Sequence, residues 1–404
     1  MRSPKKSCVA CGPAPINHTL EKWSIILEYL SAPYTRAMSA IWRRVAPAVR
    51  QIPLERLAMP IYHTLAKLGL GAIVISPDKK NGGRARIFWE EAKRRGVHLI
   101  EFRPFGRSVE FFVARYGKTL YAYTGLPRPY NLPQTGLDWM DNKGLMRDKF
   151  TKAGLPVAHG GVCASRKCLR EQFDRLEKPV IVKPSTGSRS RHTTIHISNL
   201  EQLDDAIRVG KQLSPWLVVE EELEGMVHRV TLIGGKMIGV LRREPPHVIG
   251  DGSSTVRELF DRENQNPRRD GKVFHKLVAG LEAEDELKLQ GLTWHSVPKN
   301  KQMVLLHQKI SRSNGASNTD VTDLVHPDNK KLFEKVAQVV DDQLIGVDFI
   351  ISDIGSPWHE QLKCGVIECN SLPFIDLHHY PLDGKPRDAA GALMDLVFPE
   401  SKHK

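Results

Sequence analysis

The sequence predicts an α+β fold in which a helical N-terminal extension is followed by modules that mix helices with antiparallel hairpins. Apolar residues recur at spacings of three and four in residues 21–29, 36–50 and 54–68, which is typical of amphipathic helices. From Gly71 onward, short apolar and β-branched runs replace this pattern. Gly234 and Gly235 separate two of those runs, which predicts a tight hairpin turn.

The elements after residue 71 are predicted from composition and from turn-forming residues. Strands are expected at residues 72–75, 97–102, 109–114, 119–123, 179–183, 193–197, 216–220, 229–233, 236–242 and 303–306. Helices are expected at residues 84–95, 142–153, 200–213, 329–342 and 387–397. Residues 126–133 are proline-rich and indicate a linker, and residues 255–302 are expected to be helical and loop-rich.

The composition is that of a soluble globular protein. The 404 residues suffice for two or three domains, with 41% hydrophobic and 26% charged residues. No apolar run reaches the roughly 18 residues of a membrane span. The N-terminus has no signal-peptide core, so we expect a cytoplasmic protein. The net charge of +13 favours polyanionic partners such as nucleotides, acidic peptides or nucleic acid, but its even spread only weakly indicates a nucleic-acid surface.

Six cysteines bear on metal binding and redox state. Cys8 and Cys11 form half of a zinc or redox motif, but no second pair of cysteines or histidines follows at zinc-ribbon spacing. We therefore expect an incidental pair, with metal binding as the alternative. The cysteines at positions 163, 168, 364 and 369 are expected to be reduced, as in a cytosolic protein.

The stretch from Gly346 to Asn370 is predicted to be a hairpin with an oxygen-rich face. If the hairpin is symmetric about Trp358, Asp348 lies opposite Glu368. Because alternate residues of a strand share a face, Glu368 and Asn370 point to the same side. Carboxylate and amide oxygens suit a hard ion such as magnesium. The alternative, from this stretch alone, is a hairpin whose polar residues face solvent.

Lys183 ends a predicted strand and enters a loop of small residues that runs to Ser190. Backbone amides in such a loop, which contains Ser185, Gly187 and Ser188, can surround phosphates while the lysine supplies a charge. The stretch is not a Walker loop, since the GxxxxGK[ST] pattern does not occur in the sequence. A simple hairpin turn is the alternative.

Two further motifs carry charge. Residues 217–225 form an apolar strand that runs into an acidic segment, and a strand end of this kind can hydrogen-bond an adenine edge. Arg229, Arg242 and Arg243 lie on the two hairpin strands that follow, and arginine suits a transferring phosphoryl group. The alternatives are a solvated acidic loop and ordinary surface charge.

The order of these motifs resembles that of ATP-grasp ligases. The sequence is most similar to the ATP-grasp region of cyanophycin synthetases and more distantly similar to glutathione synthetases and D-alanine:D-alanine ligases. The motifs that carry the resemblance lie between about residues 140 and 400: Lys143, Lys183 with its Ser/Gly loop, Val219-Glu220, residues 243–252, residues 320–327, Gly346-Val-Asp348 and Glu368-Cys-Asn370. Each motif alone is weak, whereas their joint order and spacing are specific.

The resemblance implies a role for each site residue, with ATP and two Mg²⁺ ions as cofactors and Mn²⁺ as a substitute. The implied nucleotide contacts are Lys143, Lys183, Ser185, Gly187, Ser188, Glu220 and Leu223. Glu220 would meet the adenine amino group. The implied magnesium ligands are Asp348, Glu368 and Asn370. Arg243 would steady the phosphoryl group and the acyl phosphate, Arg229 would face the phosphate or substrate, and His378 is a substrate-side candidate.

The resemblance also implies a domain organisation. Residues 1–70 would form the helical extension, which caps the protein or mediates an oligomer contact, and residues 71–140 a small α/β pre-ATP-grasp domain. Residues 141–223 would form the ATP-grasp lid subdomain, and residues 224–404 the C-terminal subdomain with the metal site. Since the sequence ends at residue 404, the second, Mur-ligase-like half of cyanophycin synthetases is expected to be absent.

The sequence departs from the family pattern near the expected ribose and substrate positions. Val227 stands where relatives often have an acidic residue near the ribose. Residues 311–316 replace a more usual Asn-Leu-Ser-Thr-Gly-Gly, and Phe374 replaces a glycine. These changes leave the substrate open.

The resemblance implies an ADP-forming ligase that joins a carboxylate to an amine through an acyl phosphate. Its substrates would be small molecules or peptides, with no membrane partner. A ligase that adds amino acids to a peptide or protein terminus is the alternative within the enzymes. The alternatives of another class are a non-catalytic ATP-binding regulatory module and a nucleic-acid-binding protein.

Overall fold

The computed structural model describes residues 8–11, 16–27, 29–31, 34, 54–129, 138–186, 191–271, 273–310 and 314–402. Its helices are residues 18–27 (α1), Leu54–Lys67 (α2), Gly83–Arg94 (α3), Asp138–Asp141 (α4), Lys143–Lys152 (α5), Arg166–Arg175 (α6), Leu200–Gly210 (α7), Val256–Glu263 (α8), Leu281–Leu289 (α9), Pro327–Val340 (α10), Asp376–His379 (α11) and Ala389–Val397 (α12). Its strands are Gly71–Val74 (β1), His98–Pro104 (β2), Phe111–Tyr116 (β3), Thr119–Thr124 (β4), Gly160–Cys163 (β5), Val180–Pro184 (β6), Thr194–Ile197 (β7), Leu217–Glu221 (β8), Met226–Ile233 (β9), Lys236–Glu244 (β10), His247–Ile249 (β11), Met303–Leu305 (β12), Ser317–Asp320 (β13), Leu344–Ile351 (β14) and Gly365–Asn370 (β15).

Strands β1–β4 form an antiparallel sheet in sequence order, which we call the N-terminal sheet. Trp89 of α3 meets Phe112 of β3 edge-on, with ring centroids 5.7 Å apart. Leu393 and Met394 of α12 belong to the same buried core. The N-terminal sheet is therefore packed against the C-terminal segment of the chain.

A second antiparallel sheet, the lid sheet, has the strand order β5-β8-β6-β7. Leu169 of α6 and Leu203 of α7 are fully buried in one core with Val219. Strand β5 and helix α6 were not predicted from the sequence. The two glycines at the start of β5 weaken its strand pattern, and α6 is a short, highly charged helix with a narrow apolar stripe.

A disulfide joins Cys163, at the end of β5, to Cys168 in the first turn of α6, with Cα atoms 5.7 Å apart. The Ser165 hydroxyl caps α6 by accepting a hydrogen bond from the Cys168 backbone N–H at 3.2 Å. This tight helix start turns Cys168 back toward β5, so the expectation that both cysteines are reduced is wrong. Cys364 and Cys369 are free and buried, as expected.

The third sheet, the central sheet, contains five antiparallel strands in the order β13-β10-β9-β14-β15. One face packs against α10, where Phe349 meets Phe333 edge-on with ring centroids 5.3 Å apart. Gly234 and Gly235 connect β9 to β10 with φ of 61° and 73°, which confirms the predicted tight turn. Because side chains alternate along a strand, neighbours of Phe349 on β14 project from the opposite face.

Several predictions of elements need correction. The unit predicted as α/β at residues 71–140 contains an antiparallel sheet, and helix α7 ends at Gly210 rather than at residue 213. Strands β11 and β13 were not predicted, because β11 is a three-residue run directly after Pro245 and Pro246, and β13 consists only of polar residues. The predicted helix at residues 36–50 lies outside the described residues. Among the helices that the structure does describe, none is long and apolar enough to cross a membrane.

Candidate active site

A row of charged side chains crosses the central sheet on the face opposite α10. Asp348 of β14 pairs in register with Glu368 of β15 and with Arg229 of β9. The pairing of Asp348 with Glu368 confirms the register predicted from hairpin symmetry. Arg243 of β10 lies two residues beyond Leu241, which pairs with Arg229. Arg243 therefore projects from the same face as the other three charged residues.

Asp348 is held in a buried ion pair, being 3% exposed while Arg229 is 7% exposed. The Nε and Nη2 atoms of Arg229 donate to its two carboxylate oxygens, Nη2 at 2.7 Å, and Arg243 Nη1 lies 3.6 Å from Oδ2. Burial raises the pKa of the Asp348 carboxyl, but the charge and hydrogen bonds of Arg229, together with the charge of Arg243, bring this pKa below its ordinary value. Asp348 is therefore an anion held by arginine.

Glu368 and Asn370 supply further oxygen atoms beside this pair. Glu368 is exposed, so its carboxylate is open to solvent or to a ligand. The Nδ2 atom of Asn370 is buried and has no hydrogen-bond partner among the described residues. A half-turn of the amide exchanges Nδ2 with Oδ1 and presents a carbonyl oxygen at this position. Two carboxylates and an amide oxygen on one sheet face fit the ligand set that Mg²⁺ prefers.

On the lid sheet, Lys183 and Glu220 form an ion pair between Nζ and Oε1. The two residues lie on neighbouring strands, since Lys183 pairs with Val218 and Ile181 with Glu220. Both side chains are only about one-tenth exposed, at 12% and 10%. The lysine expected to meet phosphate and the carboxylate expected to meet adenine therefore compensate each other's charge.

The start of α5 places Lys143 beside the end of β6. The Oδ1 atom of Asn142 caps the helix by accepting hydrogen bonds from Gly144 N and Leu145 N, both at 3.1 Å. The Lys143 backbone N–H donates to the Ser185 carbonyl at 2.9 Å. Lys143 and Ser185 are thus brought together at the point where the small-residue loop leaves the lid sheet.

The remaining predicted residues differ in their surroundings. Gly187 and Ser188 lie outside the described residues, and Leu223 is half-buried in the connection from β8 to β9. His378 is fully buried, with Nε2 2.7 Å from Thr231 Oγ1. Burial, with a smaller effect from the charge of Arg229, lowers the pKa of His378 to about 3. His378 is therefore neutral and enclosed, so the structure does not support it as a substrate-facing residue.

Two residues near the site, Asn318 and Arg84, were not predicted from the sequence. Asn318 of β13 is buried and pairs with Arg243 across the sheet; its only local signal is its position just before the segment 320–327. Arg84, at the start of α3, donates to the Leu372 carbonyl at 3.3 Å, and its guanidinium lies 5.9 Å from the Phe374 ring centroid. No local pattern could reveal the contacts of Arg84, because Arg84 and Leu372 are 288 residues apart in the sequence.

Comparison with known proteins places these features in a family. No protein-family model matches the chain. Over 337 residues it is 33% identical to a cyanophycin synthetase from Nostoc sp., a match covering 80% of this chain and 36% of that protein. The chain belongs to the ATP-grasp ligase family. Over 266 residues this ATP-grasp chain is 30% identical to the glutathione biosynthesis bifunctional protein GshAB of Clostridium perfringens, covering 64% of this chain and 34% of that protein.

The solved structures agree with this family. A bifunctional glutathione synthetase from Pasteurella multocida superposes on the chain with a TM-score of 0.62 at 26% identity, covering 80% of this chain and 44% of that chain. The predicted α+β, ATP-grasp fold is therefore confirmed. The ATP-grasp chain spans about a third of the length of the curated relatives it matches.

Proposed function

We propose that this chain is an ADP-forming ligase that uses ATP and Mg²⁺ to join a carboxylate to an amine as an amide or peptide bond. The single observation that most supports this function is the register of Arg229, Asp348 and Glu368 across three neighbouring strands. That register sets a buried, arginine-held carboxylate beside an exposed carboxylate, which suits a metal-bound phosphate. The relatives are named as enzymes of cyanophycin and glutathione synthesis, which supports amide-bond formation.

ATP would be held by groups of the lid sheet. Lys183 would contact the phosphates, and Glu220 would accept a hydrogen bond from the adenine amino group. Both side chains are almost buried and form an ion pair with each other. ATP binding would therefore replace this ion pair by contacts of Lys183 with phosphate and of Glu220 with adenine. Lys143, Ser185, Gly187 and Ser188 would complete the phosphate contacts, and Leu223 would contact the nucleotide beside Glu220.

Asp348, Glu368 and Asn370 would hold the metal. Bound Mg²⁺ would neutralise phosphate oxygens during transfer. Arg229 keeps Asp348 ionised, and Arg243 lies close enough to contact a phosphoryl group on the same face. Arg243 and Arg229 are accordingly proposed as the catalytic arginines.

The reaction would proceed in two displacements. A substrate carboxylate oxygen attacks the γ-phosphorus of ATP, forming an acyl phosphate as the bond to ADP breaks. The amine nitrogen then attacks the acyl carbon, phosphate leaves, and the amine loses a proton. No covalent enzyme nucleophile is needed. Small molecules or peptides would serve as both carboxylate and amine.

We propose that four segments divide this work. Residues 1–70 would form the extension, 71–140 the pre-ATP-grasp domain, 141–223 the lid subdomain and 224–404 the subdomain with the metal site. This division is supported by the sheets, since β1–β4 and β5–β8 form separate sheets and the site row lies on the sheet of β9, β10 and β13–β15.

The proposal is tested by screening ADP release with amino acids and short acidic or basic peptides, with mass detection of products. At saturating Mg²⁺, Glu368→Ala should reduce the rate of ADP release by about tenfold or more, which is the usual effect of removing a metal ligand or a residue that orients one. Glu360→Ala, an exposed position in the loop of the same hairpin, should retain it. Full ADP release by Glu368→Ala would contradict the metal assignment.

The alternatives predict other outcomes of the same screen. ATP binding without ADP release for every substrate pair would favour a regulatory module. Turnover with peptides but not with free amino acids as acceptors would favour a ligase of peptide or protein termini. Tight, steeply salt-dependent binding of RNA or DNA without turnover would favour a nucleic-acid-binding protein.

A further inference from the structure

A cluster of two cysteines and two histidines lies outside the proposed active site. The ligand atoms of Cys8, Cys11, His18 and His192 all lie within 4.8 Å of one another. Cys11 Sγ is 3.0 Å from His18 Nε2 and 3.4 Å from His192 Nε2. The two Nε2 atoms are 3.3 Å apart, and Cys8 Sγ is 3.8 Å from His192 Nε2.

These separations match a tetrahedral metal site. With Zn–S bonds of about 2.3 Å and Zn–N bonds of about 2.0 Å, tetrahedral angles place sulfur and nitrogen about 3.5 Å apart and two nitrogens about 3.3 Å apart. Three of the four S···N distances, 3.0, 3.4 and 3.8 Å, lie around the first value, and the N···N distance of 3.3 Å agrees with the second. The two remaining separations, from Cys8 Sγ to Cys11 Sγ and to His18 Nε2, are within 4.8 Å, so the cluster has the dimensions of a zinc site.

The surroundings of His192 orient it for metal binding. Its Nδ1 lies 2.8 Å from the Val209 carbonyl in α7, so Nδ1 carries the proton and the Nε2 lone pair faces the cluster. Its backbone N–H donates to the Ala10 carbonyl at 3.0 Å. His192 also has a φ of 51°, a left-handed conformation that costs energy for any residue but glycine. The hydrogen bonds to Val209 in α7 and to Ala10 near the N-terminus hold His192 in place despite that cost.

Hydrogen bonds alone do not account for this arrangement. Once Nδ1 of His192 donates to the carbonyl, Nε2 has a single lone pair, yet Cys8, Cys11 and His18 all approach it. Cys11 and His192 are buried, where unsatisfied polar groups are costly. One divalent cation would satisfy the four ligand atoms together, and two thiolates would balance its charge.

We propose that this cluster is a structural Zn²⁺ site with the ligands Cys8, Cys11, His18 and His192. Two thiolates and two imidazoles form a closed tetrahedral set of the kind that selects zinc. The second ligand pair is supplied by one nearby and one distant histidine, which zinc-ribbon spacing does not describe. The site uses none of the residues of the proposed ligase chemistry and does not depend on it.

The ion ties the N-terminal segment to the lid sheet. Beyond the cluster, Lys22 of α1 donates to the Lys211 carbonyl at 3.2 Å, and the Tyr29 ring stacks on Trp216 with centroids 4.2 Å apart. The metal would thus add a further connection between the N-terminal segment and the lid region, next to these two contacts. His192 lies two residues after residue 190, so the same ion anchors the chain where the small-residue loop returns.

The test uses the full chain produced without a polyhistidine tag in zinc-supplemented medium and desalted into metal-free buffer. Elemental analysis should find one zinc per wild-type chain. Cys11→Ser and His192→Gln should retain at least about tenfold less zinc. His196→Gln is the matched control, because His196 also has a positive φ, 58°, but is exposed. It should keep the wild-type zinc content.

A second measurement keeps the test decisive if buried variants fail to fold. Co²⁺ added to the metal-free wild type should give ligand-field bands of tetrahedral intensity and a thiolate charge-transfer band. Cys8→Ser, at a half-buried position, should reduce that charge-transfer band about twofold, since each thiolate contributes to it. Zinc should also protect Cys8 and Cys11 from alkylation until a chelator is added.

Three results would overturn the proposal. One is wild-type protein that retains no zinc and gives only octahedral Co²⁺ spectra. Another is a zinc content that is equal in the wild type, Cys8→Ser, Cys11→Ser and His192→Gln. The third is a Cys8–Cys11 disulfide, seen as alkylation that requires a reductant rather than a chelator.

Discussion

Arg229 donates through Nε and Nη2 to both carboxylate oxygens of Asp348, and the two residues face each other in register across β9 and β14. The contact is therefore set by the backbone ladder of the central sheet. A buried carboxylate is costly unless it is paired, and Arg229 is the main partner of Asp348, with Arg243 3.6 Å away. The same ion pair therefore contributes to the stability of the sheet and keeps the Asp348 carboxylate, a proposed metal ligand, ionised.

Arg229→Met should destabilise the protein by about 3–5 kcal/mol, because it leaves Asp348 buried without its main partner. It should also abolish ADP release. Arg208→Met, at an exposed position on α7, should change the unfolding free energy by less than about 0.5 kcal/mol. Urea unfolding of the three proteins checks this, and equal midpoints would contradict it.

Low pH should reduce the free energy of unfolding, in part through protonation of Asp348. Its folded pKa lies below its ordinary value of about 3.9, so the pair stabilises the fold above that pH, and this stabilisation is lost as the pH falls toward the folded pKa. Asp348→Asn cannot titrate. Its unfolding free energy should therefore fall less steeply than that of the wild type as the pH drops below about 4. Parallel pH dependences, measured by urea unfolding, would count against this interpretation.

Lys183 and Glu220 should affect ATP binding as a coupled pair. Lys183→Met and Glu220→Gln should each weaken ATP binding about tenfold, which corresponds to about 1.4 kcal/mol. The double variant should lose more than the sum, because either single variant already removes the ion pair that ATP binding must break in the free protein. Lys167→Met, on the exposed face of α6, is the control and should bind ATP normally. Calorimetric titration checks the cycle, and strictly additive losses would show that the pair is not coupled at the nucleotide.

Substitution of Phe349 should affect stability but not ligand binding. Phe349 follows Asp348 in β14, but its side chain packs in the core on the opposite face of the central sheet, against α10. Phe349→Ala should cost about 3–5 kcal/mol of unfolding free energy through the cavity beside Phe333. The protein that remains folded should keep the wild-type affinity for ATP. Urea unfolding and calorimetric titration below the unfolding temperature test the two statements, and a large loss of affinity in folded protein would refute the second.

Gly225 should tolerate no side chain. It has a φ of +112°, and a Cβ atom there would lie 2.3 Å from the backbone of Ile351. Gly235 also has a positive φ, +73°, but a Cβ atom there has nothing within 4 Å. Gly235→Ala should therefore cost only about 1–2 kcal/mol for its left-handed backbone, and Gly225→Ala clearly more. Thermal unfolding measures both, and the reverse order would contradict the steric argument.

The pairing of Asp348 with Glu368 and the family were both predictable from patterns in the sequence. Strand periodicity and the turn residues of a hairpin placed Asp348 opposite Glu368, and the structure confirms that register. The order of the motifs from Lys143 to Asn370 indicated the ATP-grasp family, which the relatives confirm. The strand β5 and the helix α6 lacked such signals, since glycines and charges hid their periodicity.

By itself, the sequence determined the α+β class, the motif order, the Gly234-Gly235 turn and the pairing within the last hairpin. Only the tertiary structure decided that Arg229 neutralises Asp348, that Cys163 bonds to Cys168, and that His192 joins Cys8 and Cys11. The first and last of these contacts join residues more than 100 positions apart. Local periodicity predicts which face of a strand is buried. Hydrophobic burial is non-directional, so the same pattern does not predict which strand or helix lies next to it. The neighbours are fixed only when whole sheets and helices pack together.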